Sequence, residues 1–336
     1  MLKRIFKCSL FVCITFIANQ INAQVDPHFS QYYVYPQSLN PALTGIMDGD
    51  YRGAAVYRSQ WASIDNGFTT IGLAGEFTTD KNINFGVGLF QQSAGNGGYK
   101  YLTPYASVSY TGIKFGTNGN QHISIGINAG IINRRFDPTK FQYGNQFNVN
   151  TGKYDASIAS GEFVGNNATT FDAGAGVLYF DGTPNKKANV FLGLSFAHLT
   201  RPIDNFSNSS VKSTIPVRGT LHGGVKIAVS ENVSLTPNFL LMEQGTAHET
   251  MLGAYAQIKG GEGFDFLCGA NYRFKDALVP FAGFLYKDFT LGLSYDVTTS
   301  DLGTVVGKAN AFEISLSYTG RKRGKAIEKA FICPRL

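Results

Sequence analysis

Few residues in this chain are of the types that do chemistry, and their spacing does not assemble them. The five histidines, His28, His122, His198, His222 and His248, are scattered, with no pair at metal-ligand spacing and no Cys-x-x-Cys beside them. Gly174, Gly176 and Gly193 invite a phosphate-cradling reading, but such glycines belong in a strand-to-helix turn. These fall inside alternating segments, where small residues packing in a sheet wall account for them. No nucleophile elbow of the serine-hydrolase type is found either. The expectation is a protein that binds rather than reacts: no enzyme, no cofactor and no metal.

The elements that position the remaining polar residues are strands. Phe289, Leu291, Leu293, Tyr295 and Val297 fall on one face of a segment whose other face carries Thr290, Gly292, Ser294 and Asp296. Fourteen such segments follow one another from Tyr51–Trp61 to Ala311–Thr319, and no long stretch repeats at helical spacing. Short and long connections alternate between them. The long ones run near Asn133–Thr169, Leu199–Pro216 and Thr298–Asn310. Membrane barrels have this even strand count, with short periplasmic turns and long outer loops, whereas a soluble sandwich, the other reading, has no reason for the parity. The fold class expected is all-β: a single transmembrane antiparallel barrel.

Composition fits that class. Charged residues make up 15% of the chain while Gly, Tyr and Phe are abundant, and the mean hydropathy is near zero because only half of each strand would face lipid. Lys3, Arg4 and Lys7 precede the apolar run Cys8–Ala18, and Ala23 stands before Gln24, so residues 1–23 read as a secretory signal cleaved after Ala23. Its removal lowers the formal charge from +6 by three, to +3, too little to argue for nucleic acid. Residues 24–50 then form an N-terminal plug-like segment, 51–319 the barrel and 320–336 a basic periplasmic tail. Cys268, inside a strand pattern, is expected to be a buried thiol. A bond from it to Cys333 is compatible with the sequence but not required by it.

Strand parity sorts the polar residues that are left. Arg52, Val56, Arg58 and Gln60 share one face of the first strand, opposite Ala55, Tyr57, Ser59 and Trp61. Charge belongs in the lumen, which sends Tyr57 and Trp61 to the outer aromatic girdle. Arg58 then either holds an acidic partner or pairs with a lumenal carboxylate such as Glu76 or Glu313. The segment before the first strand carries Phe29, Tyr32, Tyr33, Tyr35 and Leu39 among Pro27, Pro36 and Pro41; it is neither helix nor ladder strand and is expected to pack into the periplasmic mouth. Asp26-Pro27 and Asn40-Pro41 read as turn starts. In the longest loop Phe136, Phe141, Tyr143, Phe147, Tyr154 and Phe163 are interleaved with Asn, Gly and Lys, which suits protein contacts at an outer surface or a loop folded inward over the pore.

A resemblance enters at four places. They are Gln24, Asp26, Pro27, Phe29, Ser30, Gln31 and Tyr32, followed by Asn40, Pro41, Ala42 and Gly45; Tyr57, Arg58, Gln60 and Trp61; Tyr295, Asp296, Ser300, Asp301 and Leu302, with Phe312, Glu313, Ile314, Ser315, Leu316 and Tyr318; and Cys333, Pro334 and Arg335. In this order they resemble the PorP/SprF family, outer-membrane proteins of the type IX secretion system, over essentially the whole mature chain. The last residue, Leu336, departs from the family pattern, which tends to close on an aromatic. The resemblance implies a barrel in the cell outer membrane that works with the secretion and gliding machinery and anchors a secreted adhesin through its C-terminal domain. Implied partners are that domain, periplasmic components of the machinery and outer-membrane lipid. Candidate contact residues are Asp26, Phe29, Gln31, Tyr32, Asn40, Arg58, Gln60, Phe136, Phe141, Tyr143, Phe147, Cys333 and Arg335. A channel for diffusion of small solutes is the alternative that the barrel alone would allow.

Overall fold

The computed structural model describes residues 26–62, 67–95, 98–159, 167–204, 213–261, 263–300 and 309–322. The signal at 1–23, Gln24, Phe163, and the tail beyond Lys322 with Cys333 and Arg335 lie outside the described residues. The barrel strands in the first half are β1 (Tyr51–Gln60), β2 (Phe68–Thr78), β3 (Ile83–Ala94), β4 (Tyr99–Phe115) and β5 (Gln121–Phe136). A two-residue ladder, β6 (Phe147–Asn148) with β7 (Lys153–Tyr154), stands in the loop before β8 (Asn167–Asp181) and β9 (Ala188–Ala197). A second such ladder pairs β10 (Ile203–Asp204) with β11 (Ser213–Thr214). The wall continues through β12 (Arg218–Ala228), β13 (Val233–Gln244), β14 (Ala247–Gly261), β15 (Phe264–Arg273), β16 (Ala277–Tyr286), β17 (Phe289–Thr298) and β18 (Ala311–Gly320). All but the four short strands join one closed antiparallel barrel of 14 strands. It is sealed by an unbroken β1–β18 register from Tyr51 opposite Gly320 to Gln60 opposite Ala311.

Alternation decides which side chain meets what. On β17, Phe289, Leu291, Leu293 and Tyr295 face out and are exposed, whereas Gly292, Ser294 and Asp296 are buried inside. Outward Val87 and Ile127 are 62% and 61% exposed, and they belong to a continuous apolar band that in water would be an aggregation surface. Lipid is the solvent that covers it, and closure leaves no unpaired strand edge to desolvate. The connections at residues 137–166, 198–217 and 299–310 all leave one end, while Lys287–Asp288 and 229–232 turn at the other. In a membrane barrel the short-turn end is periplasmic and the long-loop end faces out. Rings gather at the periplasmic rim, where Tyr318 meets both Tyr51 and Phe289 and Phe77 stacks on Phe85 at 5.3 Å.

Two differences from the sequence expectation have simple causes. The hairpin of β5 and β8 extends to Arg135 opposite Asn167, beyond the expected ends at Ile132 and Thr170. Hydrophobic alternation marks a strand only as far as the lipid reaches; above it the ladder continues with polar side chains, such as Asn133, which donates to Asn167 and Thr169. Cys268 is not a buried thiol: it is exposed on the outward face of β15 beside Phe266, Ala270 and Tyr272, because its parity is that of the lipid side. Tyr57 does point outward, at 42% exposure, while Trp61 leaves the strand with φ +59° and packs on Phe68.

The hydrophobic core lies in the lumen. Side chains alone do not fill a barrel of this strand number, and here residues 26–50 occupy the space. One cluster joins Tyr32, Leu39, Ala42, Leu43 and Ile46 to Leu178, Phe180, Phe191, Leu240, Met242 and Met251 of the wall. A second joins Phe29, Val34 and Tyr35 to Ala54, Val56, Phe90, Tyr101 and Ile132.

Candidate functional site

The leader, residues 26–50, threads the barrel from end to end. Asp26 meets His198, Arg218 and Gln244 at the outer rim, whereas the Asp50 backbone N–H donates to Gly320 at the periplasmic one, 2.9 Å away. The expected location was the periplasmic mouth only. The lumen offers polar groups and glycine gaps at every height, and the leader's aromatics find burial along all of it.

Its outer part is fixed by charge. The Glu313 carboxylate accepts the backbone N–H groups of Ser30 and Gln31 at 2.7 and 2.9 Å. Glu313 is also paired with Arg58, whose guanidinium donates to Asp296 at 3.0 Å and to the Ser30 hydroxyl at 2.7 Å. Arg273 completes the group, 2.8 Å from Asp296. Of the two internal carboxylates anticipated for Arg58, Glu313 is the partner; Glu76 pairs with Arg52 and accepts the Gly45 N–H instead. Gln60 accepts a long bond from Arg58 Nε at 3.4 Å. All four charged groups, Arg58, Arg273, Asp296 and Glu313, are buried. Two cations face two anions, which is the condition under which buried charge is tolerated.

At the very top, His198 stands in the connection after β9, between Asp26 and Asp172, with Nδ1 2.8 Å from Asp172. Burial opposes its charge, but the hydrogen bonds and charges of the two carboxylates outweigh that and push its pKa up to about 9. Burial alone would raise the Asp26 carboxyl; His198, Arg218 and Gln244 instead hold it well below the usual carboxylate range. His28 lies 3.1 Å from Glu249.

The inner part is fixed mainly by shape and neutral hydrogen bonds, with Arg218 donating to the Ser38 carbonyl at 3.1 Å and Glu76 accepting the Gly45 N–H. Pro36 opens the single turn α1 (Pro36–Leu39), and Asn40 and Pro41 start a second turn at Pro41–Leu43, where the Asn40 side chain accepts from the Ala42 N–H at 2.9 Å. Its amide donates to the Val177 carbonyl at 3.1 Å and faces His222 Nε2 at 3.2 Å. Tyr32 donates to Asn238, Ser124 to the Ala42 carbonyl and Ser195 to the Leu39 carbonyl. Glycines make room for the leader. A Cβ on Gly176 would stand 2.1 Å from Asn40 Oδ1, and one on Gly126 would stand 2.3 Å from the Pro41 carbonyl carbon. Gly176 and Gly193, read from sequence only as small wall residues, border the Asn40 seat.

Asp26, Phe29, Gln31, Tyr32, Asn40, Arg58 and Gln60 are thus brought into one lumenal assembly. Phe136, Phe141, Tyr143 and Phe147 are elsewhere, on the outer surface. Phe136 stacks on Phe141 at 4.5 Å, Phe141 covers Gly95 and Gly98, and Phe147 is 53% exposed in the β6–β7 ladder opposite Tyr154. Sequence reasoning missed His28, Glu249, His198, Asp172, Arg218, Gln244 and Arg273. Their signal was parity: Arg273 and Glu249 are polar residues at lumenal positions, and nothing in the sequence itself says which of them will meet the leader.

The model of the type IX secretion system membrane protein PorP/SprF family matches residues 21–318. The chain belongs to the PorP/SprF family. No curated protein matches it. Among solved structures it is similar to the Ralstonia pickettii toluene transporter TbuX, at 10% identity and a TM-score of 0.49 over 84% of this chain and 92% of that one. It is also similar to the CymD monoaromatic hydrocarbon channel, at 13% identity and a TM-score of 0.48 over 86% and 93% of the two chains. A PorP/SprF barrel is an outer-membrane protein, and residues 26–50 are, in this member, an internal plug anchored to both rims.

Proposed function

We propose that this outer-membrane barrel serves the type IX secretion and gliding machinery as a surface receptor, binding a secreted adhesin through its C-terminal domain and performing no chemistry. The observation that carries the reading is the leader itself. A segment that threads the lumen from rim to rim, with two buried cations and two buried anions holding it and glycines shaped to it, makes a poor conduit and a rigid platform. The outer surface then offers the contact residues. Exposed Phe147 and Tyr154 on a short ladder, and the stacked Phe136 and Phe141 of the same loop region, are the aromatic residues on which a protein partner would settle. On this reading the short turns and the end of β18 at Gly320 face the periplasmic machinery. Residues 1–23 would be the signal, removed after Ala23.

A deletion strain tests this. It should still release other type IX cargo into the medium while one large adhesin disappears from the cell surface, and Phe147→Asp with Tyr154→Asp should reproduce the loss with the barrel still inserted. Normal surface display in the deletion strain would overturn the receptor reading. In liposomes the intact protein should give no steady conductance for small solutes; sustained conductance would favour the channel instead.

A further inference from the structure

The leader does not fill the lumen evenly. Between it and the wall formed by β14 to β18 a slot of about 230 Å³ remains, several times the roughly 30 Å³ share of one water in the liquid. Tyr33, Tyr255, Leu267, Phe281 and Leu285 line its apolar side. Thr290, Ser315, Ser317 and Thr319 form a row of hydroxyls beside it on β17 and β18, where Thr290 pairs with Leu285. Its mouth is at the periplasmic rim, among Asp48, Arg52, Lys287, Asp288 and Arg321. An apolar stretch beside a hydrogen-bonding one suits an extended peptide better than an acyl chain, which has nothing to offer the hydroxyls.

The chain itself arrives at this mouth. Arg321 lines the slot and pairs with Asp48 at 2.6 Å, and the Lys322 N–H donates to the Asp50 carboxylate at 2.8 Å. The remaining 14 residues, 323–336, carry Ile327, Phe331 and Ile332 among Lys325, Glu328 and Lys329, so both signs of the mouth find counterparts. A tether this short holds its end at an effective concentration of about millimolar, which favours it over a free peptide. We propose that the slot is the docking site of the chain's own C-terminal segment, with Phe331 and Ile332 as the apolar anchors.

Cys333 makes the test direct. In full-length protein carrying Cys268→Ser, one variant places a second cysteine at Ser317 in the slot and another at Lys187, in the periplasmic turn across the barrel. The 12 residues from Arg321 to Cys333 reach at most about 40 Å when extended, enough for either position. Mild oxidation of outer membranes, read by mass spectrometry, should give the intramolecular bond at Ser317→Cys about tenfold more than at Lys187→Cys, in keeping with a held rather than a wandering end. Phe331→Asp, which leaves the wall untouched, should abolish that preference while the heat-modifiable migration of a folded barrel persists. Equal yields, no bond at Ser317→Cys, a preference that survives Phe331→Asp, or bonds only between two copies would each overturn the proposal, the last assigning the slot to a second copy.

Discussion

The two halves of the leader are held in the same lumen by opposite means. Residues 26–31 present backbone N–H groups and short polar side chains to Glu313, Asp296, Arg58 and His198, so their position depends on charge balance. Residues 36–44 present proline turns and the Gln37 and Asn40 amides to glycine gaps, hydroxyls and carbonyls, so theirs depends mainly on shape. Charge loss should therefore free the outer half while the inner half stays seated, and steric change should do the reverse. The largest effect belongs to Arg58→Ala. It leaves Glu313 buried with the leader's N–H donors and a long bond from the Ser294 hydroxyl, and removes half the cation charge facing the two carboxylates, a loss of about 3–5 kcal/mol. Hydrogen exchange should show residues 28–32 deprotected and 40–44 still slow; uniform deprotection would mean the halves are one cooperative unit.

Next in size is the His198 contact, which pH can break without mutation. The folded pKa of about 9 lies above the ordinary 6.5, so the stabilisation is complete below about 6.5 and is lost as pH rises through 9. Asp26, held low, contributes in the other direction, losing its share only as pH falls below the usual carboxylate range. Asp26 and Asp172 flank the ring, and Arg218 and Gln244 in turn contact Asp26. Raising pH from 6.5 to 9.5 should loosen Asp26 and His28 progressively. A hydrogen bond to a charged group is worth about 1.5–3 kcal/mol, and His198→Gln should flatten the profile over this range.

How far the sequence foretold this differs between wall and lumen. Period-two alternation placed all 14 barrel strands, because lipid outside and polar lumen inside force a side-chain choice at every residue. Beyond the lipid that force vanishes, so the outer ends of β5 and β8 were read short. Burial of the leader was legible in Phe29, Tyr32 and Tyr35, aromatics too many for solvent, and the turn at Asn40 in the proline after it. Its depth was not, because that is set by pairs such as Asp26–His198 and His28–Glu249, separated by 172 and 221 residues. Cys268 shows the same limit on the wall: the expectation rests on a thiol's usual preference for burial, whereas strand parity puts it on the lipid side.

On the shape side, Gly126→Ala should displace the inner half. The new Cβ would stand 2.3–2.4 Å from backbone atoms of Pro41 and Ala42, which cannot rotate aside as a side chain can. Overpacking of this kind costs about 1–3 kcal/mol. Exchange should now be fast at residues 40–44 and slow at 28–32, the mirror image of Arg58→Ala, and matching patterns in the two variants would remove the distinction between the halves.

Asn40→Ala probes the smallest term and separates fit from hydrogen bonding. The amide caps the Pro41–Leu43 turn through Ala42 and reaches the Val177 carbonyl and His222, so truncation removes a cap worth about 1 kcal/mol and leaves a carbonyl with one partner fewer. It also vacates the space that Gly176 and Gly193 leave open. Pairing it with Gly176→Ala is therefore informative. A Cβ that clashes at 2.1 Å with Asn40 Oδ1 loses that clash once the side chain is gone and keeps the milder approach to Ser195 Cβ at 3.0 Å, so the double variant should be less destabilised than the sum of the singles. Additive losses would mean that Gly176 is required by the wall itself and not by the leader.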